Sequence, residues 1–145
     1  MRRRNLLQLA LALTPASLLA TRAKADTPGA SKVVYHLADL DKVDFVLGNI
    51  GNHYDGMGGP ENVTIALVVH GPALKAFRAT DATPDVTQQT AARAKSGLQL
   101  NACIHSMQAL NITLQDLLPG FTVADKGAVV RLAELQGRGY AYLRP

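Results

Sequence analysis

The sequence predicts a three-layer α/β sandwich on a mostly parallel five-stranded sheet. Three observations lead there. Short β-branched or apolar runs alternate with amphipathic stretches at helical spacing, in the order β-α-β-α-β-α-β-α-β. One run, Ile65-Ala66-Leu67-Val68-Val69, is continuously apolar, as a central parallel strand covered on both faces should be. The pattern occupies residues 32–145, the length of one ordinary domain, with no internal repeat.

Each element has its own signal. Lys32-Val33-Val34-Tyr35-His36-Leu37 is β-branched and aromatic, a first strand. Asp39 then stands as a candidate N-cap. Val43, Val46, Leu47, Ile50 and Tyr54 share one face of a helix expected from about Leu40 to Tyr54. Gly48 and Gly51 weaken that helix by roughly 1 kcal/mol each unless they serve close packing. Asp55-Gly56-Met57-Gly58-Gly59-Pro60 ends it. Asn62 to His70 is the second strand, and Gly71-Pro72 turns the chain into a short segment, Ala73 to Phe77. Thr83 as cap, Pro84 in the first turn, Asp85 at the positive end and Gly97 as stop delimit the second helix. Leu98 to Ala102 is the third strand, with a helix from Cys103. Thr113 to Leu118 makes a helical turn closed by Pro119-Gly120, and Phe121-Thr122-Val123 a fourth strand. Ala128, Val129, Leu132 and Leu135 form the face of a last helix expected to lie on the sheet, opposite Lys126, Arg131, Glu134 and Arg138. Tyr140 to Leu143 is the final strand.

The first residues read as an address. Arg2-Arg3-Arg4 precede an apolar run from Leu9 to Ala20, broken by Thr14, Pro15 and Ser17, and small residues follow at Ala23-Lys24-Ala25. That is the form of an export signal cleaved before Asp26. The run is too short and interrupted to span a bilayer, which needs about 20 residues. Arg3-Arg4-Asn5-Leu6-Leu7 resembles the twin-arginine signal. The expected organisation is therefore a signal peptide at 1–25, a flexible leader at 26–31 and one domain at 32–145. The expected location is the periplasm, with no stable membrane insertion after cleavage. Residues 1–25 hold five of the 15 Lys+Arg and no acid; ten bases then face 11 Asp+Glu, a formal charge of −1. No basic face remains to bind nucleic acid. One cysteine excludes a disulfide-stapled scaffold.

That cysteine, Cys103, carries the chemistry the sequence offers. It stands where the third strand ends and a helix begins, close to unsatisfied backbone N–H groups that favour a thiolate. In open parallel sheets, ligands bind beyond the carboxyl ends of the strands. The first strand ends at His36, the second at His70-Gly71, the third at Asn101-Ala102-Cys103. Neighbouring strands would bring two imidazoles toward one thiol, and an imidazolium there would lower its pKa further. Asn101 is a candidate cap for the helix. His105 points to another side and is a weaker candidate. Each residue also has a plain reading: Cys103 as a small buried hydrophobe, His36 and His70 as strand-end residues, His53 as a solvated side chain. No compact metal motif, P-loop, Gly-x-Ser-x-Gly elbow or glycosidase carboxylate pair is present.

Four stretches in order resemble the DsrE/DsrF-like family, in particular its exported, poorly characterised branch. They are Val68-Val69-His70-Gly71-Pro72-Ala73-Leu74, Gly97-Leu98-Gln99-Leu100-Asn101-Ala102-Cys103, Leu117-Leu118-Pro119-Gly120 and Leu135-Gln136-Gly137-Arg138-Gly139-Tyr140-Ala141-Tyr142. The resemblance implies a flavodoxin-like α/β/α sandwich that assembles as trimers or hexamers. In sulfur-relay members, the cysteine at the position of Cys103 carries sulfur as a persulfide and passes it to a partner. The expectation is therefore a periplasmic sulfur carrier or sulfurtransferase-like protein, working without a cofactor. Cys103, His70 and His36 would be its catalytic residues; Asn101, Gly71 and His105 would line the substrate site. Sulfur donor or acceptor proteins are its expected partners. The relay proteins act in the cytoplasm with cognate subunits, and this chain departs from both. Two alternatives stand beside it: a non-catalytic small-ligand or metal-binding module of the same fold, and a structural oligomer.

Overall fold

The computed structural model describes residues 30–145. The export segment expected at 1–25, and most of the leader, lie outside the described residues. Five strands form one sheet: β1 (Ser31–Leu37), β2 (Val63–Val69), β3 (Gln99–Cys103), β4 (Phe121–Ala124) and β5 (Ala141–Leu143). Four helices connect them: α1 (Val43–Gly56), α2 (Pro84–Lys95), α3 (Ile104–Ala109) and α4 (Ala128–Gly137). The spatial order is β4-β3-β2-β1-β5, and every neighbouring pair is parallel. The edge strand comes last in the chain, where the flavodoxin order has it second.

This order decides which face each helix covers. The chain steps from β1 to β2, β3 and β4 in one direction, then jumps back past them to place β5 beside β1. Crossovers between parallel strands are right-handed, so a reversal of direction moves the connecting helix to the opposite face. Accordingly α1, α2 and α3 give Val43, Val46, Leu47, Ile50, Val86 and Met107 to one large core. Among the described residues the other face meets only α4, through Ala128, Leu132 and Leu135. Strand alternation feeds both. From β2, Ile65, Leu67 and Val69 enter the large core, while Ala66 and Val68 enter the small one. Burial on both faces is why the β2 segment is apolar throughout.

Local signals explain most boundaries. Thr83 caps α2, its Oγ1 accepting the Val86 N–H at 3.2 Å. Gly51 allows close packing: a Cβ there would run into the Arg93 guanidinium on α2. Four expectations change. Strand β1 begins at Ser31, inside the expected leader. Asp39 caps nothing; it precedes a 3-10 turn, Leu40–Lys42, and its carboxylate lies 3.5 Å from Arg144. Cys103 closes β3 instead of entering the first turn of α3, because its pairing with Ala124 extends the ladder by one residue. Val129, expected on the buried face of the last helix, is 73% exposed, while Ala128, Leu132 and Leu135 are the residues of α4 that face the sheet.

Candidate functional site

The reversal of chain direction opens the site. Beyond β3 the chain turns into α3 on one side of the sheet; beyond β4 it turns into α4 on the other. Adjacent strands whose connections part in this way leave a crevice at their carboxyl ends, where ligands of open parallel sheets bind. Cys103 is the last residue of β3 and Gly127-Ala128 begin α4. Between them lies an open groove of about 490 Å³. His70, Ser106, Cys103 and Val129 are among its walls, with Lys75 and Lys126 as its cations.

The sulfur is not open to solvent: Cys103 is only 4% exposed and forms part of the groove's inner wall. Its Sγ accepts the Ala128 N–H at 3.3 Å. Burial pushes the thiol up, but the backbone N–H groups of Ser106, Ala128 and His105 and the Ser106 hydroxyl pull it further down. The net direction is downward, toward the thiolate. Ser106, in the first turn of α3, is fixed in place by the Gly71 N–H, which its Oγ accepts at 2.7 Å. Gly127 is required twice over. Its φ is +90°, and the His105 ring lies where a Cβ would be, with Cδ2 at 2.7 Å.

His36 and His70 meet each other, their Nε2 atoms 2.6 Å apart and ring centroids 4.7 Å apart. They share the α4 face with Cys103 by strand alternation, and His70 follows directly on the Val69–Ala102 pair. Burial lowers the pKa of both rings. For His36 the charges of His70 and Arg144 add to it, for His70 that of Arg144, with Asp39 opposing in each case. Both are therefore neutral near pH 7. The imidazolium expected to stabilise the thiolate is not the source of its low pKa; amide and hydroxyl hydrogens are.

Of the other expected site residues, His105 and Gly71 line the groove. Asn101 does not cap α3. Its amide donates to the carbonyls of Leu67 and Gln99, and its oxygen accepts from Arg131 Nε at 3.0 Å. It faces a smaller polar crevice of about 160 Å³ between β4 and α4. His53 is bonded, its Nδ1 lying 2.9 Å from Tyr35 Oη. Sequence reasoning passed over Ser106, Gly127, Ala128 and Tyr142. Tyr142 Oη lies 2.6 Å from His36 Nδ1. Only Ser106, three residues beyond the cysteine, carried a local signal, as a side chain in the first turn of the helix. Among the described residues no three His, Cys, Asp or Glu side chains converge as metal ligands, and no helix is long and apolar enough to cross a membrane.

The fold and the site together define a parallel α/β/α protein with a lone thiol at the sheet's switch point. The chain belongs to the DsrE/DsrF-like family, whose model matches residues 20–145. No curated protein matches it significantly. Among solved structures it is similar to a protein of unknown function from Methanobacterium thermoautotrophicum, at 25% identity and a TM-score of 0.70, covering 79% of this chain and 99% of that one. A conserved protein of unknown function from Bacteroides thetaiotaomicron matches at 18% identity and 0.59, covering 79% and 95%. The ychN protein from E. coli matches at 12% and 0.58, covering 81% and 100%. These last two speak for the fold alone.

Proposed function

We propose that the protein carries sulfane sulfur on Cys103 as a persulfide. One observation above all supports this: a thiol whose Sγ accepts the Ala128 N–H and whose pKa is drawn downward, in the wall of a groove that admits a small molecule or a peptide end. A cysteine kept only for packing needs no such donor. In the first half-reaction the Cys103 thiolate attacks the outer sulfur of a donor persulfide, R–S–SH. The S–S bond breaks and R–S⁻ leaves with its electron pair, giving Cys103–S–SH. In the second, an acceptor thiolate attacks that outer sulfur and releases the Cys103 thiolate. Lys75 and Lys126 favour anionic sulfur species at the groove.

The test is intact-mass analysis after exposure to a small persulfide. A gain of one sulfur atom is expected in the wild type and none in Cys103→Ser; an unmodified wild type beside a labelled control protein defeats the proposal.

We further propose that this chemistry takes place in the periplasm, on the strength of Arg3-Arg4-Asn5-Leu6-Leu7 and the small residues before Asp26. Protein recovered from that compartment is expected to begin at Asp26. A homo-oligomer, trimer or hexamer, working with sulfur donor or acceptor proteins is part of the same proposal. The apolar surface of Val129 and Val130 on α4 supports it, and light scattering of the purified protein reads it out.

A further inference from the structure

Tyr142, His36 and His70 stand in line across the carboxyl edge of β5, β1 and β2. Tyr142 Oη is 2.6 Å from His36 Nδ1, and His36 Nε2 is 2.6 Å from His70 Nε2. His70 Nδ1 bonds no other described residue, and His70 is also a wall of the Cys103 groove. Tyr142, at the far end, is 41% exposed. Two ring nitrogens this close share one hydrogen between them. With both rings neutral, each holds one N–H and one lone pair, and the phenol can donate or accept. The chain therefore has two complete arrangements. Either every hydrogen points toward the groove, leaving N–H on His70 Nδ1, or every hydrogen points toward Tyr142, leaving a lone pair there.

We propose that Tyr142, His36 and His70 form a proton wire that flips between these arrangements once per half-reaction at Cys103. The proposal rests on the persulfide chemistry above and gives the two histidines a role other than thiolate stabilisation. In the first half-reaction the departing R–S⁻ takes the proton on His70 Nδ1. His70 Nε2 takes the one on His36 Nε2, His36 Nδ1 takes the Tyr142 phenol proton, and solvent restores it. In the second, the acceptor R′–SH gives its proton to His70 Nδ1, and each transfer runs backward until Tyr142 returns one proton to solvent. The sum is R–S–SH and R′–SH giving R–SH and R′–S–SH, with the wire restored and no oxidant consumed. The charged and titratable groups around the wire are Asp39 and Arg144 on its outer side, and Cys103, His105, Lys75 and Lys126 on the groove side. His70 would be the catalytic residue, touching the reacting thiols; His36 and Tyr142 act through it.

The test follows sulfur exchange between a small persulfide and an acceptor thiol, in the wild type, Tyr142→Phe and His36→Gln, across pH. General acid–base help is worth about 10²-fold or more, so at pH 7 both variants are expected to run about 10²-fold slower. The deficit should vanish above about pH 9, where small thiols of pKa about 8.5 need neither acid nor base. Alkylation of Cys103 by iodoacetamide expels iodide and needs no proton, so both variants should react at the wild-type rate. Wild-type exchange rates at pH 7, a deficit of equal size at every pH, or a parallel loss of alkylation would each overturn the wire. Should the wild type accept no sulfur at all, the carrier proposal fails separately. The wire is then read from imidazole nitrogen resonances: those of His70 are expected to move in Tyr142→Phe, and unmoved resonances would refute it.

Discussion

The same strands furnish both faces of the sheet, yet the two faces have different work. Under α1, α2 and α3 lies a deep apolar core in which Leu47, Ile50, Ile65, Leu67 and Phe77 are almost wholly buried. Under α4 a small cluster of seven residues includes Cys103, and the strand ends beside it carry His36, His70 and Asn101. Among the described residues a single ten-residue helix covers this face of the five-stranded sheet; His36 and His70 at its margin are only half-buried, and the buried Asn101 amide is fully bonded. The well-covered face supplies stability, and the thinly covered one can hold a thiol, imidazoles and a groove without leaving them stranded. That division follows from one reversal in strand order.

Four experiments would break or sharpen this contrast. The largest effect is expected from Cys103→Ser, which should abolish sulfur uptake in the mass assay. The thermal transition should stay close to that of the wild type, since the two side chains differ little in volume. On the other face, Phe77→Ala should cost about 3–5 kcal/mol in denaturant unfolding while leaving sulfur uptake per folded molecule intact. Leu132→Ala, 7% exposed beneath α4, should cost nearer 2 kcal/mol; equal losses would mean that the two faces contribute alike.

Gly127→Ala addresses the join between stability and chemistry. Forcing a side chain onto φ +90° against the His105 ring should cost about 1–3 kcal/mol. It should also displace the Ala128 N–H from the sulfur. The pH midpoint of Cys103 alkylation is then expected to rise, and an unchanged midpoint would remove Ala128 from the account of the thiolate.

Acid titration should show the smallest effect. His36 and His70 are held below the ordinary histidine value, so the unfolded chain takes up protons before the folded one does. Their share of stability is complete above about pH 6.5 and drains away as pH falls below it. Melting curves between about pH 7 and pH 5 should show this loss in the wild type. It should be smaller in the His36→Gln, His70→Gln double variant, and identical slopes would contradict the inference.

Much of the architecture was legible from neighbouring residues. Val43, Val46, Leu47, Ile50 and Tyr54 marked α1 by spacing alone, and Thr83, Pro84 and Gly97 bracketed α2. The carboxyl-edge histidines and the cysteine were legible too, because strand ends can be read from where apolar runs stop. Less of the site could be read. Tyr142 looks like any aromatic in a closing strand until β5 is placed against β1, with Val34 opposite it. Ala128 has no chemical side chain to draw attention; only its N–H matters, and its partner lies 25 residues away. Asn101 misled because a polar residue before a helix resembles a cap, whereas strand alternation turned it toward Arg131.

Local patterning was enough to settle which segments become strands and helices, that the sheet is mostly parallel, and that His36, His70 and Cys103 stand at strand ends. Those properties depend on contacts within a few residues and on alternation that any one segment carries in itself. Folding alone decided that β5 returns to the β1 edge, that α4 is the one described helix on its face, and that two imidazoles meet at 2.6 Å while the sulfur accepts the Ala128 N–H. These features arise from the handedness of crossovers and from pairings between residues far apart along the chain.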